Sequence, residues 1–384
     1  LTNLVENQTS RYRHQCNNKT MRWIKMDHEI PRKMKVAVLN EPYDIEIKEV
    51  NVPELGPHDV LVQMLAVGVC GSDVHYYAHG SVGEFVVEAP LILGHECAGK
   101  VAAVGSDVTH FKPGDRVAVE PGVPCGTCEY CKTGKYNLCP DVVFLATPPV
   151  DGAFTEYLKH PEDYLFHIPD TLSYEQATLN EPLSVGIQAC RRANIQPGSS
   201  VVIMGMGPVG LMTVVAAKAF GATQIIVSDM EQNRLDEALK LGATTTINVK
   251  DEDVNQRINE LTQQHGVDYA IETAGNQIAL RSALAALKNG GTLAAVGLAQ
   301  EADNPLNIPF ITNHEINLVG IFRYANTYDT GIQILSHTDA DLNSMFTHQY
   351  PLSETKAAME RARTDKSGSL KVIVYPNGIE AAKL

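Results

Sequence analysis

Apolar positions change rhythm near residue 184. Between 34 and 180 they fall in short runs, at 36–39, 60–67, 99–104 and 117–119, separated by turns such as Pro113-Gly114-Asp115. Short apolar runs bounded by turn formers predict strands. From 184 onward, runs of four to six residues at 200–204, 225–228, 269–272 and 292–296 alternate with helical patterns near 209–220, 231–241 and 277–288. This alternation predicts βαβ units and a parallel sheet. Beyond about 322 the pattern is mixed, and no repeat of fixed period is evident. Residues 1–33 are polar without apolar periodicity and are expected to form a disordered N-terminal extension, with Met26 or Met34 as natural starts.

One stretch imitates a membrane span. Residues 201–222 carry Lys218 as their single charge. A span needs about 20 apolar residues in one helix. Here Gly205, Gly207, Pro208 and Gly210 interrupt the run after four residues, which predicts a strand, a tight turn and a buried helix. No other run approaches this length, and residues 1–33 lack the apolar core of a secretory signal. The expectation is a soluble, cytoplasmic protein that makes no membrane contact.

Composition narrows the classes. The 384 residues are 44% hydrophobic and 20% charged, enough apolar material for a large core and too much for global disorder. The formal charge of −14 argues against a nucleic-acid or anionic-membrane partner, since phosphate repels such a chain. Residues 1–33 hold seven basic and three acidic side chains, so their +4 leaves −18 on residues 34–384. Eight cysteines are too few for a disulfide scaffold, and their clustering carries more than their number.

The apolar strand 201–204 leads into Gly205-Met206-Gly207-Pro208-Val209-Gly210, then a helical pattern, then a second strand ending at Asp229. Each part has a physical task. Gly205 permits the tight turn, Gly207 lets the backbone approach a pyrophosphate, and Gly210 allows close helix–strand packing. Asp229 can accept hydrogen bonds from both adenosine ribose hydroxyls. The isolated glycine motif is weak, but strand, motif, helix, strand and acid in register predict dinucleotide binding. The Asp229 carboxylate would repel a 2′-phosphate, which favours NAD over NADP. Arg234 could stack on adenine or pair with Asp229.

Cys125, Cys128, Cys131 and Cys139 lie within fifteen residues. Four thiolates this close can satisfy a tetrahedral Zn²⁺. An iron–sulfur run is the competing reading, weakened by seven residues before the last cysteine where such runs have three. Disulfides are the other alternative, disfavoured in a reducing compartment. A second group is sparse: Cys70, His95-Glu96 and Glu181. A thiolate, an imidazole and a carboxylate suit Zn²⁺ with an open coordination position. Taken singly, Cys70 reads equally as a core cysteine, His95 as a satisfied core histidine and Glu181 as a helix-start acid before Pro182.

Residues 34–376 resemble the zinc-dependent medium-chain dehydrogenases, and within them the sorbitol/xylitol (polyol) branch. The resemblance rests on Cys70-Gly71-Ser72-Asp73-Val74-His75-Tyr76, Leu93-Gly94-His95-Glu96 and Pro113-Gly114-Asp115-Arg116-Val117, which are family-wide. It rests further on Glu181-Pro182-Leu183-Ser184-Val185-Gly186, Gly320-Ile321-Phe322-Arg323-Tyr324, Tyr136-Asn137-Leu138 and Ala146-Thr147-Pro148-Pro149, which are specific to polyol enzymes.

The resemblance implies a GroES-like β-barrel catalytic domain, 34–183 completed by 322–384, with a doubly wound Rossmann sheet at 184–321 and the active site between them. It implies a catalytic zinc on Cys70, His95 and Glu96. Glu181 would hold the water there or approach the metal directly, and Asp73 would orient His95. The four cysteines would form a structural zinc lobe. Val296, Gly297 and Leu298, with Phe322 and Arg323, match positions lining the nicotinamide. The implied reaction oxidises a secondary polyol hydroxyl to a ketose with NAD. Ser72 would receive the hydroxyl proton and His75 pass it to solvent, while Tyr76, Arg323 and Tyr324 grip neighbouring hydroxyls. Purely structural roles stay open for Arg323 and His75. Branch members are commonly tetramers, so a homotetramer is expected. A 2,3-butanediol or threonine dehydrogenase on the same scaffold, and a dinucleotide-binding protein without turnover, are the alternatives.

Overall fold

A computed structural model describes residues 30–298 and 303–383. Residues 1–29 of the expected extension lie outside the described residues. Residues 30–33, expected with it, belong instead to the folded body. Ile30 packs beside Leu61, Ala102 and Ala103, and the Arg32 carbonyl accepts a hydrogen bond from the Val52 amide.

Two sheets organise the chain. The larger has seven strands, running Leu165–His167, Arg116–Val119, Glu96–Val104, Asp59–Gly68, Lys371–Tyr375 and Phe346–Pro351, with Tyr157–Pro161 also on Asp59–Gly68. A smaller sheet of Asp44–Asn51, Lys33–Glu41 and Leu91–Ile92 lies beside it. Residues 154–156 join the two. Ala37 donates to the Phe154 carbonyl, Glu156 to that of Lys35, and Met64 to that of Glu156. This shared segment closes the GroES-like domain, with Val60, Val62, Val67, Leu93 and Phe154 buried inside.

The second sheet is parallel throughout. Its order is Thr245–Asn248, Gln224–Asp229, Ser200–Met204, Val267–Glu272, Leu287–Ala295, Asn317–Gly320. The strand that leads the sequence stands third, so the order reverses beside it. That is the doubly wound arrangement, and it opens a crevice beyond the carboxyl ends of the strands. The apolar stretch at 201–222 resolves as expected into the strand Ser200–Met204, a turn, and the buried helix Pro208–Ala219. Among the described residues, no helix is long and apolar enough to cross a membrane.

The helix Asn180–Ala193, of which the sequence reading offered only a possible start at Glu181, ties the halves together. A continuous core runs from Ala66 and Ala98 through Leu183 and Ile187 to Val201, Ile203 and Leu211. At Gly186 an added Cβ would stand 2.9 Å from the Thr213 Cα, so this helix and Pro208–Ala219 meet backbone to backbone.

Packing in the larger sheet is equally close. A Cβ on Gly99 would sit 2.2 Å from the Gln63 carbonyl oxygen on the paired strand. Gly99→Ala is therefore expected to destabilise the protein by about 1–3 kcal/mol. Gly320→Ala, with nothing within 4 Å of the added methyl, should stay within about 0.5 kcal/mol. Urea unfolding of both variants measures the difference.

Candidate active site and metal centres

The first group of donors is assembled by a helix start. Cys70 stands immediately before the helix Gly71–His79, and its amide donates to the Asp73 carboxylate at 2.9 Å. The other Asp73 oxygen accepts from the Gly94 amide at 3.0 Å and lies 3.6 Å from His95 Nδ1. Asp73 is fully buried and thereby sets Cys70 and His95 side by side. Ligand atoms of Cys70, His95 and Glu96 all lie within 4.8 Å of one another.

The residues fit a divalent cation. Burial opposes a charge on His95, but Asp73 and then Cys70 outweigh it and hold the imidazole well above its ordinary range. His95 Nδ1 is buried without a hydrogen-bond partner. A pocket that draws a proton onto a buried imidazole is one that stabilises positive charge. Glu96 forms a buried ion pair with Lys371, whose ammonium also donates to the Val69 carbonyl at 3.3 Å. Sequence reasoning missed Lys371, although a lysine opening the buried run Lys371–Tyr375 was its signal.

Glu181 stands outside the three-donor set. Its Oε1 accepts from the Tyr324 hydroxyl at 2.8 Å. Burial raises its pKa, partly offset by His95 and reinforced by Glu96, so it adjoins the donors electrostatically. Arg323 lies over the Phe144 ring, 3.8 Å from its centroid, and reaches the Thr147 hydroxyl at 3.4 Å. No ion pair holds it among the described residues. Burial lowers its pKa while Tyr324, Glu181 and Tyr76 favour its charge. Tyr76 is buried and also meets Thr147. Thr147 thus joins this wall, a residue the sequence marked only within a family string.

Ser72 and His75 sit three residues apart on one helix, and Tyr76 and His79 continue that side. Ser72 is half-buried and His75 exposed. Burial, then His79 and Lys366, lower the His75 pKa and favour the neutral ring.

The dinucleotide fingerprint has the shape its residues require. Gly205 has φ +93°, and a Cβ on Gly210 would stand 1.9 Å from the Gly205 carbonyl oxygen. A Cβ on Gly207 would meet nothing within 4 Å, which leaves open space before the helix Pro208–Ala219. Val209 is half-buried in its first turn. Such a cradle at a helix N-terminus fits a pyrophosphate. Asp229 ends its strand, accepting from the Met206 amide at 2.6 Å and the Glu231 amide at 2.9 Å. The pairing considered for Arg234 and Asp229 is not formed among the described residues. The carboxylate accepts one backbone amide on each oxygen and keeps lone pairs to spare, and Arg234 Nε is buried without a hydrogen-bond partner. Val296 and Gly297 follow the strand Leu287–Ala295, and Glu272 clamps their loop to residues 274–276 through backbone amides. Leu298 and Phe322 are apolar side chains left 74% and 44% exposed.

The four cysteines form a separate lobe between Gly122–Val123 and its partner strand Val143–Phe144. Their sulfurs lie within 4.8 Å of one another, with Cys128–Cys131 at 3.4 Å and Cys125–Cys131 at 4.0 Å. Tetrahedral zinc thiolates place sulfurs about 3.8 Å apart, given Zn–S bonds near 2.3 Å. The cysteines are unbridged. The Thr127 hydroxyl and nearby amides pull Cys125 down to about 6, whereas burial and the Cys128 contact push Cys131 up to about 12. The cluster therefore resists full ionisation until a cation shares its charge.

The chain matches two family models, the alcohol dehydrogenase GroES-like domain over residues 56–170 and the zinc-binding dehydrogenase over 208–337. It is 57% identical over 352 residues to the sorbitol dehydrogenase of Bacillus subtilis, covering 92% of this chain and all of that protein. An Escherichia coli oxidoreductase/dehydrogenase of unknown specificity involved in membrane biogenesis superposes with TM-score 0.86 at 41% identity, covering 89% and 99% of the two chains. The 2R,3R-butanediol dehydrogenase of Bacillus subtilis gives TM-score 0.82 at 31% identity, covering 90% and 100%.

Two outcomes follow. Metal analysis should find two zinc ions per chain, one lost in Cys70→Ser and the other in Cys125→Ser, matching the two donor groups. Separately, burial pushes the Glu120 carboxyl from 4.5 up to about 7. A raised carboxyl favours folding in its neutral form, so this stability is lost as pH rises from about 4.5 to about 7. Glu120→Gln escapes that cost, and its advantage over wild type should grow across the window by about 3 kcal/mol. Urea unfolding over a pH series reads it.

Proposed function

The chain belongs to the zinc-binding medium-chain dehydrogenase family, and on that premise we propose that it oxidises a polyol, sorbitol or xylitol, to the 2-ketose with NAD⁺ as hydride acceptor. The observation that carries the polyol reading is the polar wall beside the donors, where the Tyr324 hydroxyl meets Glu181 and Arg323 and Tyr76 share Thr147. Buried polar groups of this kind are satisfied by a substrate with several hydroxyls and left unpaired by a simple alcohol. The Bacillus subtilis sorbitol dehydrogenase supports the same reading.

Cys70, His95 and Glu96 would hold the catalytic zinc, with Glu181 beside it, and the four-cysteine lobe would hold the structural one. When bound, the catalytic ion would supply Lewis acidity that lowers the pKa of the reacting hydroxyl, and the dinucleotide would supply a hydride acceptor. The protein's share is positioning and proton movement. Ser72 accepts the hydroxyl proton, and His75, neutral and exposed one turn along the helix, carries it to solvent. Arg323, Tyr324 and Tyr76 orient the neighbouring hydroxyls. Gly205, Gly207, Val209 and Gly210 cradle the pyrophosphate. Asp229 takes the ribose hydroxyls and disfavours a 2′-phosphate. Val296, Gly297, Leu298 and Phe322 border the nicotinamide.

A homotetramer agrees with the open edge strand Asn317–Gly320, which ends the parallel sheet and leaves Leu318 48% exposed. Unbridged cysteines agree with a cytoplasmic setting.

Purified protein with sorbitol or xylitol and NAD⁺ should produce NADH absorbance, abolished by Cys70→Ser and by chelation. Reaction with butane-2,3-diol and none with any polyol would replace the substrate class. NAD⁺ binding without turnover on the whole panel would remove the enzyme reading.

A further inference from the structure

The segment 322–326 carries the groups assigned to substrate grip, yet its backbone is unfavourable. Arg323 has φ +50° and Asn326 φ +55°, the left-handed region that an arginine rarely adopts. Such conformations persist where the surroundings over-determine them. The surroundings here are the four-cysteine lobe. Asn137, buried in the short helix Tyr136–Leu138, donates from Nδ2 to the Phe322 carbonyl at 2.8 Å. The Tyr136 hydroxyl accepts from the Asn326 amide at 2.8 Å and donates to Glu120 at 2.7 Å. Asn326 Nδ2 returns a bond to the Gly134 carbonyl at 2.8 Å. Three lobe residues thus bracket Arg323 and Tyr324 from both sides.

The bracket adds to packing, since Tyr324 and Ala325 are themselves buried. Under it lies a cavity of about 410 Å³ lined by Glu120, Tyr136, Tyr164, Asn326, Tyr328 and Asp329. Asn326 at the far end is held twice, by the lobe and by Arg191, which reaches its carbonyl at 2.7 Å and Thr330 at 3.0 Å. At the near end the lobe supplies the hold. Cys131 and Cys139 flank residues 134–137 in sequence, so an ion drawing those sulfurs together also sets where Gly134, Tyr136 and Asn137 stand.

We propose that the four-cysteine lobe is a positioning device for the substrate-gripping segment: Tyr136 and Asn137 are positioning residues, and metal in the lobe tunes polyol affinity through Arg323. The inference rests on the polyol reading for its substrate, but its structural half is independent of that reading.

The experiment combines amide hydrogen exchange with kinetics on the metal-loaded wild type, Asn137→Ala, Tyr136→Phe, and Cys125→Ser, which lacks one of the four lobe thiols. Exchange in 321–328 should rise about tenfold or more in each of the three perturbed forms while residues 200–297 stay unchanged. With polyol, the KM should rise about fivefold per lost bond, exceeding any fall in kcat, with the KM for NAD⁺ unmoved. Unchanged exchange in 321–328, or lowered thermal stability with an unmoved polyol KM, overturns the proposal. If the wild type turns over no polyol, the substrate reading fails while the exchange measurement still decides the clasp. Should one variant fail to fold, the other two give the same readout.

Discussion

The site depends on one buried carboxylate. Asp73 lies in the first turn of a helix, where a negative charge suits the exposed amides, and accepts from Cys70 and from Gly94 on a different stretch of chain. Those two bonds fix the spacing between a thiol and an imidazole that sequence leaves twenty-five positions apart. Removing Asp73 would free the Cys70 turn, release the Gly94 loop and take away the charge facing His95. A neutral isostere would keep some of the geometry and lose the charge. Geometry and electrostatics therefore converge on one residue.

The helix Asn180–Ala193 relates this cluster to the cofactor cradle. Its first turn carries Glu181 toward the donors and Tyr324, and its body meets the helix of the glycine fingerprint with no side chain between Gly186 and Thr213. The backbone contact leaves little room for the two helices to slide. The carboxylate beside the metal donors and the glycine turn before Pro208–Ala219 are thus parts of one rigid pair. Groups that must act on one substrate are better held on such elements than on loops.

Much of this was legible in the sequence. Ser200–Met204, Gln224–Asp229 and the intervening fingerprint stood out because turn, apolar run and acid fall within one local stretch. The cysteine lobe stood out for the same reason. The helix Asn180–Ala193 was hidden because Pro182 and Gly186 weaken its helical pattern, although proline is tolerated in a first turn and the glycine serves close packing. Thr147 was not legible as a site residue, and the lysine heading the apolar run at 371–375 hinted only that Lys371 is buried. Their roles come from contacts with Glu96 and Arg323, far away in sequence, and local pattern carries no information about such pairs. Arg234 shows the converse: proximity to Asp229 in sequence suggested a pairing that is not formed among the described residues.

The buried charges also explain why metal belongs to the fold as much as to the chemistry. Asp73, Glu96, Glu181 and Cys70 meet in a volume from which water is largely excluded, with Lys371 paired to Glu96. The displaced pKa values register the imbalance in one direction. Burial should lower His95, yet neighbouring anions hold it high, and Glu181 is raised by burial and by Glu96 despite His95. Both groups are driven to take up protons, the response of a pocket with excess negative charge. A divalent ion would supply that charge instead and displace the protons, so ion binding and pocket stability are linked. A protein whose body carries −18 therefore needs no general attraction for its ligands, because positive charge is required at a buried point.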